Sequence, residues 1–195
     1  HSYTTIAEGD PAYSKAASTL SREVGVKSYP WLTFDLTTNT AYELEEIQGY
    51  IDINHDDIAK AGVSASARVV DGVIYVNAGV KAGATILYRV AAWVLEDNIQ
   101  ATQTGATASW QHRHNNCLRE MAGVETVEKM YGKEIGTIEA GKSVERILAI
   151  DIAENWKIDN CKLLVIVTAG DGRGGFGVVN SLLCPIGGEV TYQYN

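Results

Sequence analysis

The chain has 195 residues, 46% of them hydrophobic, and its 16 Lys+Arg against 24 Asp+Glu give a net charge of -8. That length allows one large domain or two small ones. The acidic balance, broken by no basic stripe, argues against nucleic acid and anionic membrane surfaces as partners.

No apolar run approaches the roughly 18 residues of a spanning helix. The strands do not repeat as barrel staves with aromatic girdles. A soluble protein is expected. The chain begins at His1 rather than Met, so either a targeting segment has been removed or the sequence is part of a longer chain.

Asp10-Pro11 predicts a helix start, with a capping carboxylate before a Pro at the first helical position. Tyr13, Ala16, Ala17, Leu20 and Val24 follow at helical spacing, and Gly25 closes the element. Leu32, Phe34 and Leu36 alternate with polar or outward positions and predict a strand, with Pro30 at its beginning. Thr40 and Glu43 have capping-box spacing, and Leu44, Ile47 and Ile51 form the apolar stripe of a second helix. Helix, strand and helix over residues 1–61 resemble the second half of a thioredoxin-like fold. That resemblance places Pro30 where the fold carries a cis-proline. A redox C-x-x-C would lie upstream of His1.

From residue 62 to 195 the pattern has period two. Seven segments read as strands: 64–70, 73–80, 85–95, 143–153, 161–169, 176–183 and 189–194. Asp71-Gly72 is a two-residue hairpin signal between the first two. The expected fold class is therefore α+β: a partial thioredoxin-like α/β segment followed by an antiparallel β-sandwich. A long excursion, Glu96 to Gly141, separates the third and fourth strands, and 116–123 within it reads as a short helix ended by Gly123.

The cysteines Cys117, Cys161 and Cys184 form no C-x-x-C pair. A hairpin folded symmetrically about Gly172-Arg173 would set Cys161 opposite Cys184. A cross-strand disulfide and two buried free thiols are both open on that register. The Gly-rich loop itself lacks the Lys-Ser/Thr of a phosphate-binding loop and leads into a strand, so it reads as a turn.

The excursion concentrates the polar chemistry. His112 and His114 with Glu96 or Asp97 offer a weak metal-site pattern, lacking any H-E-x-x-H spacing. Cys117 with His114 offers a nucleophile pair but no oxyanion hole. The stronger reading is structural. A loop crossing the end of a sandwich exposes backbone groups that polar side chains must satisfy, and Arg119 is placed to bind Glu96 or Asp97 in a bidentate pair. The candidate binding or structural network is Glu96, Asp97, Gln103, His114 and Arg119. No metal, cofactor or catalytic set is expected.

The ordered motifs "VLEDNIQATQTG", "HNNCLREMAGVETVEKMYGKEI", "AGKSVERILAIDIAENWKIDNCKLLVIV" and "GVVNSLL" are similar to the C-terminal part of the twenty-eight-kilodalton outer-membrane-protein family of Gram-negative anaerobes. The matching positions are Glu96, Gln103, Gly105, His114, Leu118, Arg119, Trp156, Asn160 and Asn180, over about residues 60 to 185. Trp110 and Cys117 depart from that pattern. The resemblance implies an exported cell-envelope protein, in the periplasm or at the outer membrane, with a lipid anchor on an N-terminus outside this chain. It implies no membrane barrel and no catalytic residues. The expected function is a non-catalytic structural or binding module for an unidentified protein or small-molecule ligand. The alternative is a thiol-disulfide oxidoreductase lineage whose C-x-x-C lies upstream.

Overall fold

The structure, a computed structural model, describes residues 9–28, 31–36, 43–55, 59–124, 130–170 and 175–194, and within 43–55 the side chains as far as 52. It is an α+β fold dominated by antiparallel strands arranged as two sandwich-like sheets. Helices α1 (Lys15–Glu23) and α2 (Leu44–His55) precede strands β1 (Ala61–Val70), β2 (Val73–Ala82), β3 (Ile86–Glu96), β4 (Ile99–Gln100), β5 (Arg113–His114), β6 (Cys117–Ala122), β7 (Lys133–Ile138), β8 (Ser143–Asp151), β9 (Cys161–Gly170), β10 (Phe176–Pro185) and β11 (Glu189–Gln193).

One sheet has the order β11-β1-β2-β8 and the other β10-β9-β3-β6, with β7 also paired to β3. β6 takes the Ala92–Glu96 half of one β3 edge and β7 the Ile86–Val90 half, while β9 runs along the opposite edge. Period-two alternation turns one face of each sheet inward. Val63, Ile74, Val76, Val80 and Leu148 from the first sheet meet Tyr88, Val90, Val94, Leu163, Val165 and Val167 from the second in one buried core. The β1–β2 hairpin turns at Asp71-Gly72 with φ of 49° and 78°, the left-handed pair that a two-residue turn between twisted strands requires.

The outer face of the second sheet carries a smaller core. Ala91, Trp93, Leu95, Leu118, Met121 and Ile166 are covered there by Ala16, Ala17 and Leu20 of α1. Helix α1 starts four residues later than Asp10-Pro11 suggests, because Ser14 is the cap. Its Oγ accepts from Ala17 N at 3.0 Å and donates to the carbonyl of Leu118, so one hydroxyl both begins the helix and pins it to β6.

Three expectations need correction. Residues 31–36 form no strand: Asp35 and Leu36 have φ of 50° and 60°, and two successive left-handed residues cannot continue an extended ladder. Leu36 instead packs beside α1, and the Asp35 carbonyl accepts from Val178 N. In α2, Leu44 is 78% and Ile51 47% exposed, so the apolar stripe is not seated in a core; Tyr50 stacks on Phe34 at 4.7 Å. Residues 117–122 are strand β6, not a helix. β3 pairs Val94 with Glu120 and Leu95 with Leu118, which leaves Arg119 as the extra residue of a bulge. The bulge puts Leu118 and Met121 into one cluster, and their three-residue spacing imitates a helix. Pro30 lies outside the described residues.

Of the two alternatives for Cys161 and Cys184, the structure has free thiols. β9 and β10 pair Phe176 with Gly170, slip by one residue at Val179, and set Cys184 opposite Leu163. Cys161 faces Glu96 of β3 instead. All three cysteines are free thiols.

Candidate functional site

The end of β3 delivers Glu96 between two neighbours in register, Cys117 of β6 and Cys161 of β9. Glu96 is 2% exposed, a carboxylate buried at the end of the sandwich. An unpaired charge there would be strongly unfavourable. The bulge resolves this by re-aiming Arg119, whose Nε donates to Glu96 Oε2 at 2.7 Å. The second oxygen, Oε1, accepts from Lys157 N at 3.1 Å. The expected bidentate pair does not form. Arg119 Nη1 turns instead to the carbonyl of Tyr13 at 3.3 Å, just before the cap of α1. One buried ion pair therefore ties together β3, β6, the β8–β9 loop and the segment leading into α1.

Asp97, the next residue, serves the surface side of the same junction. Its Oδ2 accepts from Lys162 Nζ at 2.6 Å and its Oδ1 from Asn116 N at 2.7 Å. The Lys162 hydrogen bond is the main cause holding the Asp97 carboxyl below the usual aspartate range, against a smaller opposing effect of burial. Its own N–H donates to Asn160 O at 3.0 Å. Asn98 and Asn116, with φ of 60° and 55°, turn the chain on either side; Asn98 N donates to Asn115 Oδ1 at 3.0 Å.

The histidines hold backbone. His112 Nδ1 accepts from Gln103 N at 3.2 Å, and His114 Nε2 lies 3.1 Å from the carbonyl of Ala101. His112 ends a short 3-10 turn while His114 lies on β5, so the two bond different groups of one passing segment. Gln111 Oε1 accepts from Thr107 N and Ala108 N, each at 2.7 Å. Cys117 follows a turn on β6 rather than a shared helical face with His114. Gln103 is exposed and takes part through its main chain, so the structure separates it from Glu96, Asp97 and Arg119.

The thiols beside Glu96 are poor nucleophiles. Burial pushes Cys161 up to about 12, and the Glu96 carboxylate adds to the effect. Burial also raises Cys117, against the opposing pull of Arg119. Burial raises Cys184, whose Sγ lies 3.7 Å from the carbonyl of Ala65 in the facing sheet.

Sequence reasoning reached Glu96, Asp97 and Arg119 but missed Lys162, which is 65 residues from Asp97 in the chain and reaches it from β9. It also missed Ser14 and Tyr13, whose part depends on how α1 docks. Asn180, flagged only by the motif resemblance, joins the sheets: its Nδ2 donates to Ala61 O at 2.8 Å and to Gln193 O at 3.1 Å. No protein-family model matches the chain, and no curated protein matches it.

Proposed function

We propose that this chain is a non-catalytic module of the cell envelope, structural or ligand-binding, whose crossing segment clamps the sandwich rather than performing chemistry. The observation that carries the reading is the commitment of the polar groups. Glu96 uses both oxygens on Arg119 and Lys157 N, Asp97 uses both on Lys162 and Asn116 N, and His112 and His114 meet backbone groups of their own loop. A general acid, base or nucleophile must instead present an atom to a substrate at a matched pKa. The raised thiols of Cys117, Cys161 and Cys184 fit the same reading, since the thiolate is the reactive form.

Export, a lipid anchor and a place in the periplasm or at the outer membrane of a Gram-negative bacterium belong to this proposal and rest on the motif order around Glu96, Arg119, Trp156 and Asn180. The thioredoxin-like ancestry of residues 1–61 belongs to it as well, and rests on the succession of α1 and α2 alone, since 31–36 form no strand. The test is an Arg119→Ala variant. It should melt well below the parent chain, and unchanged melting together with loss of a partner would reverse the assignment. An insulin-reduction assay on this chain should be silent, and turnover would favour the oxidoreductase lineage. The N-terminus and intact mass of the protein from its own cells test export and lipidation directly.

A further inference from the structure

The outer face of the β11-β1-β2-β8 sheet turns away from both cores. Strand register sets its rows: Ser64 beside Gly79 beside Glu145, Ser66 beside Asn77 beside Ile147, and Arg68 beside Tyr75 beside Ala149. Exposed strand faces are commonly filled with small polar or charged residues. Here the small Ser66 lies among larger, chemically mixed groups. The result is a trough of about 670 Å³ over Ser66 and Asn77, bounded on its far side by the Gly187–Gly188 turn. That volume is typical of small-ligand sites.

The walls are organised before any ligand arrives. The Arg68 guanidinium lies 5.7 Å from the centroid of the Tyr75 ring and holds it by a cation–π contact. Asn77 Nδ2 donates to Glu145 Oε2 at 3.1 Å, which fixes an amide and a carboxylate side by side. Ile147 is 69% exposed, an apolar side chain at the trough that nothing among the described residues covers for the most part. The aromatic surface continues past the trough on β11. Tyr194 lies over Gly62, where a Cβ would collide with its ring, and at Gly79 a Cβ would meet Ser64 Oγ and the Tyr192 hydroxyl. Both glycines thus let tyrosines lie close against the sheet.

We propose that this trough binds a neutral oligosaccharide along its chain. A pyranose has one face of C–H groups and a rim of vicinal hydroxyls. Tyr75 and Ile147 match the first, because aromatic and aliphatic surfaces shed water onto an apolar face. The Asn77–Glu145 pair matches the second, offering a donor amide and acceptor oxygens in adjacent places. Charge selects against acidic sugars: Glu145 and Glu189 border the trough against the single cation Arg68 among its lining residues, and the chain as a whole carries -8. An open trough on a sheet face admits the middle of a polymer, whereas an enclosed pocket would require a chain end. This site supplies a ligand class for the binding half of the function proposed above. It lies on the other sheet from Glu96 and Arg119, so the clamp stands or falls separately.

The test is an amide chemical-shift titration of the full chain with cellohexaose, hexa-N-acetylchitohexaose, mannohexaose and, as the acidic control, oligogalacturonate. At least one neutral hexasaccharide should give saturable shifts centred on Ser66, Tyr75 and Asn77. Tyr75→Ala should weaken that binding about tenfold, equivalent to about 1.4 kcal/mol, with the melting temperature retained. If Tyr75→Ala fails to fold, Ile147→Ser takes its place, since that side chain is mostly in water already. No saturable shift from any neutral probe at millimolar concentration overturns the proposal. So do shifts centred elsewhere, affinity unchanged in the folded variant, or binding of oligogalacturonate alone.

Discussion

The crossing segment and the outer face of the β11-β1-β2-β8 sheet are both polar, and they use polarity in opposite ways. Around Glu96 the charged and amide groups are turned inward and consume one another: Arg119 is 5% exposed, and its donors go to Glu96 and Tyr13 O. On the outer sheet face the groups are tied just enough to hold a shape. Arg68 steadies Tyr75 and Asn77 meets Glu145, while an apolar side chain beside them stays in water. That contrast separates scaffold from recognition. Density of polar residues does not make a surface functional; what matters is whether the atoms are already spent inside the molecule.

The strongest way to break this contrast is Arg119→Ala. It leaves the Glu96 carboxylate buried without its counter-charge, and a loss of about 3–5 kcal/mol is expected. For a chain of this size that is about ten degrees in melting temperature, read by calorimetry or circular dichroism. Adding Glu96→Gln should recover part of the loss, because the buried charge is then gone. Ser14→Ala comes next. It removes both the cap of α1 and the bond to Leu118, and about 1–2 kcal/mol should be lost in denaturant titration.

The Asp97–Lys162 pair gives a smaller effect with a defined pH dependence. The Asp97 carboxyl is held low in the folded protein, so its contribution is complete above the ordinary aspartate value of 3.8 and disappears as pH falls through the lowered value. Both side chains are 28% exposed, which limits the contribution to under about 1 kcal/mol. Melting curves of the parent and Lys162→Ala should differ at neutral pH and converge in acid. Ile147→Ser should change stability least, within about 0.5 kcal/mol. A large loss there would show that the outer face is scaffold after all. Finally, thiol titration of the denatured chain under non-reducing conditions should count three thiols, matching the free cysteines of the fold.

Much of the sandwich was legible because period-two alternation is local. The seven expected strands overlap β1, β2, β3, β8, β9, β10 and β11, and the Asp71-Gly72 turn forms where its φ values require. Two of the misses share a cause, which is irregular ladder geometry. The bulge at Arg119 gave β6 a helical spacing, and a hairpin register already one residue off the symmetric one, with a further slip at Val179, moved Cys184 away from Cys161. A one-residue change in a strand alters every partner after it. In the site, Arg119 could be matched from sequence to Glu96 or Asp97 because carboxylates and a guanidinium lay in one segment. Lys162 could not, since its approach depends on β9 lying beside β3. The sheet-face trough did leave a signal: Tyr75 and Asn77 occupy the outward phase of β2, so a bulky aromatic stands where alternation calls for polar side chains.

The bulge has one more consequence, for how the chain avoids assembling wrongly. If β6 slid along β3 by a single residue while the molecule formed, the guanidinium would enter the layer of Trp93 and Leu95 and its acid partner would be sealed off without it. Either error strands a charge in a dry interior, a penalty of several kcal/mol that backbone pairing alone would not impose. The misaligned threading is thereby rejected by its own electrostatics, and the correct alignment is proofread at a single position.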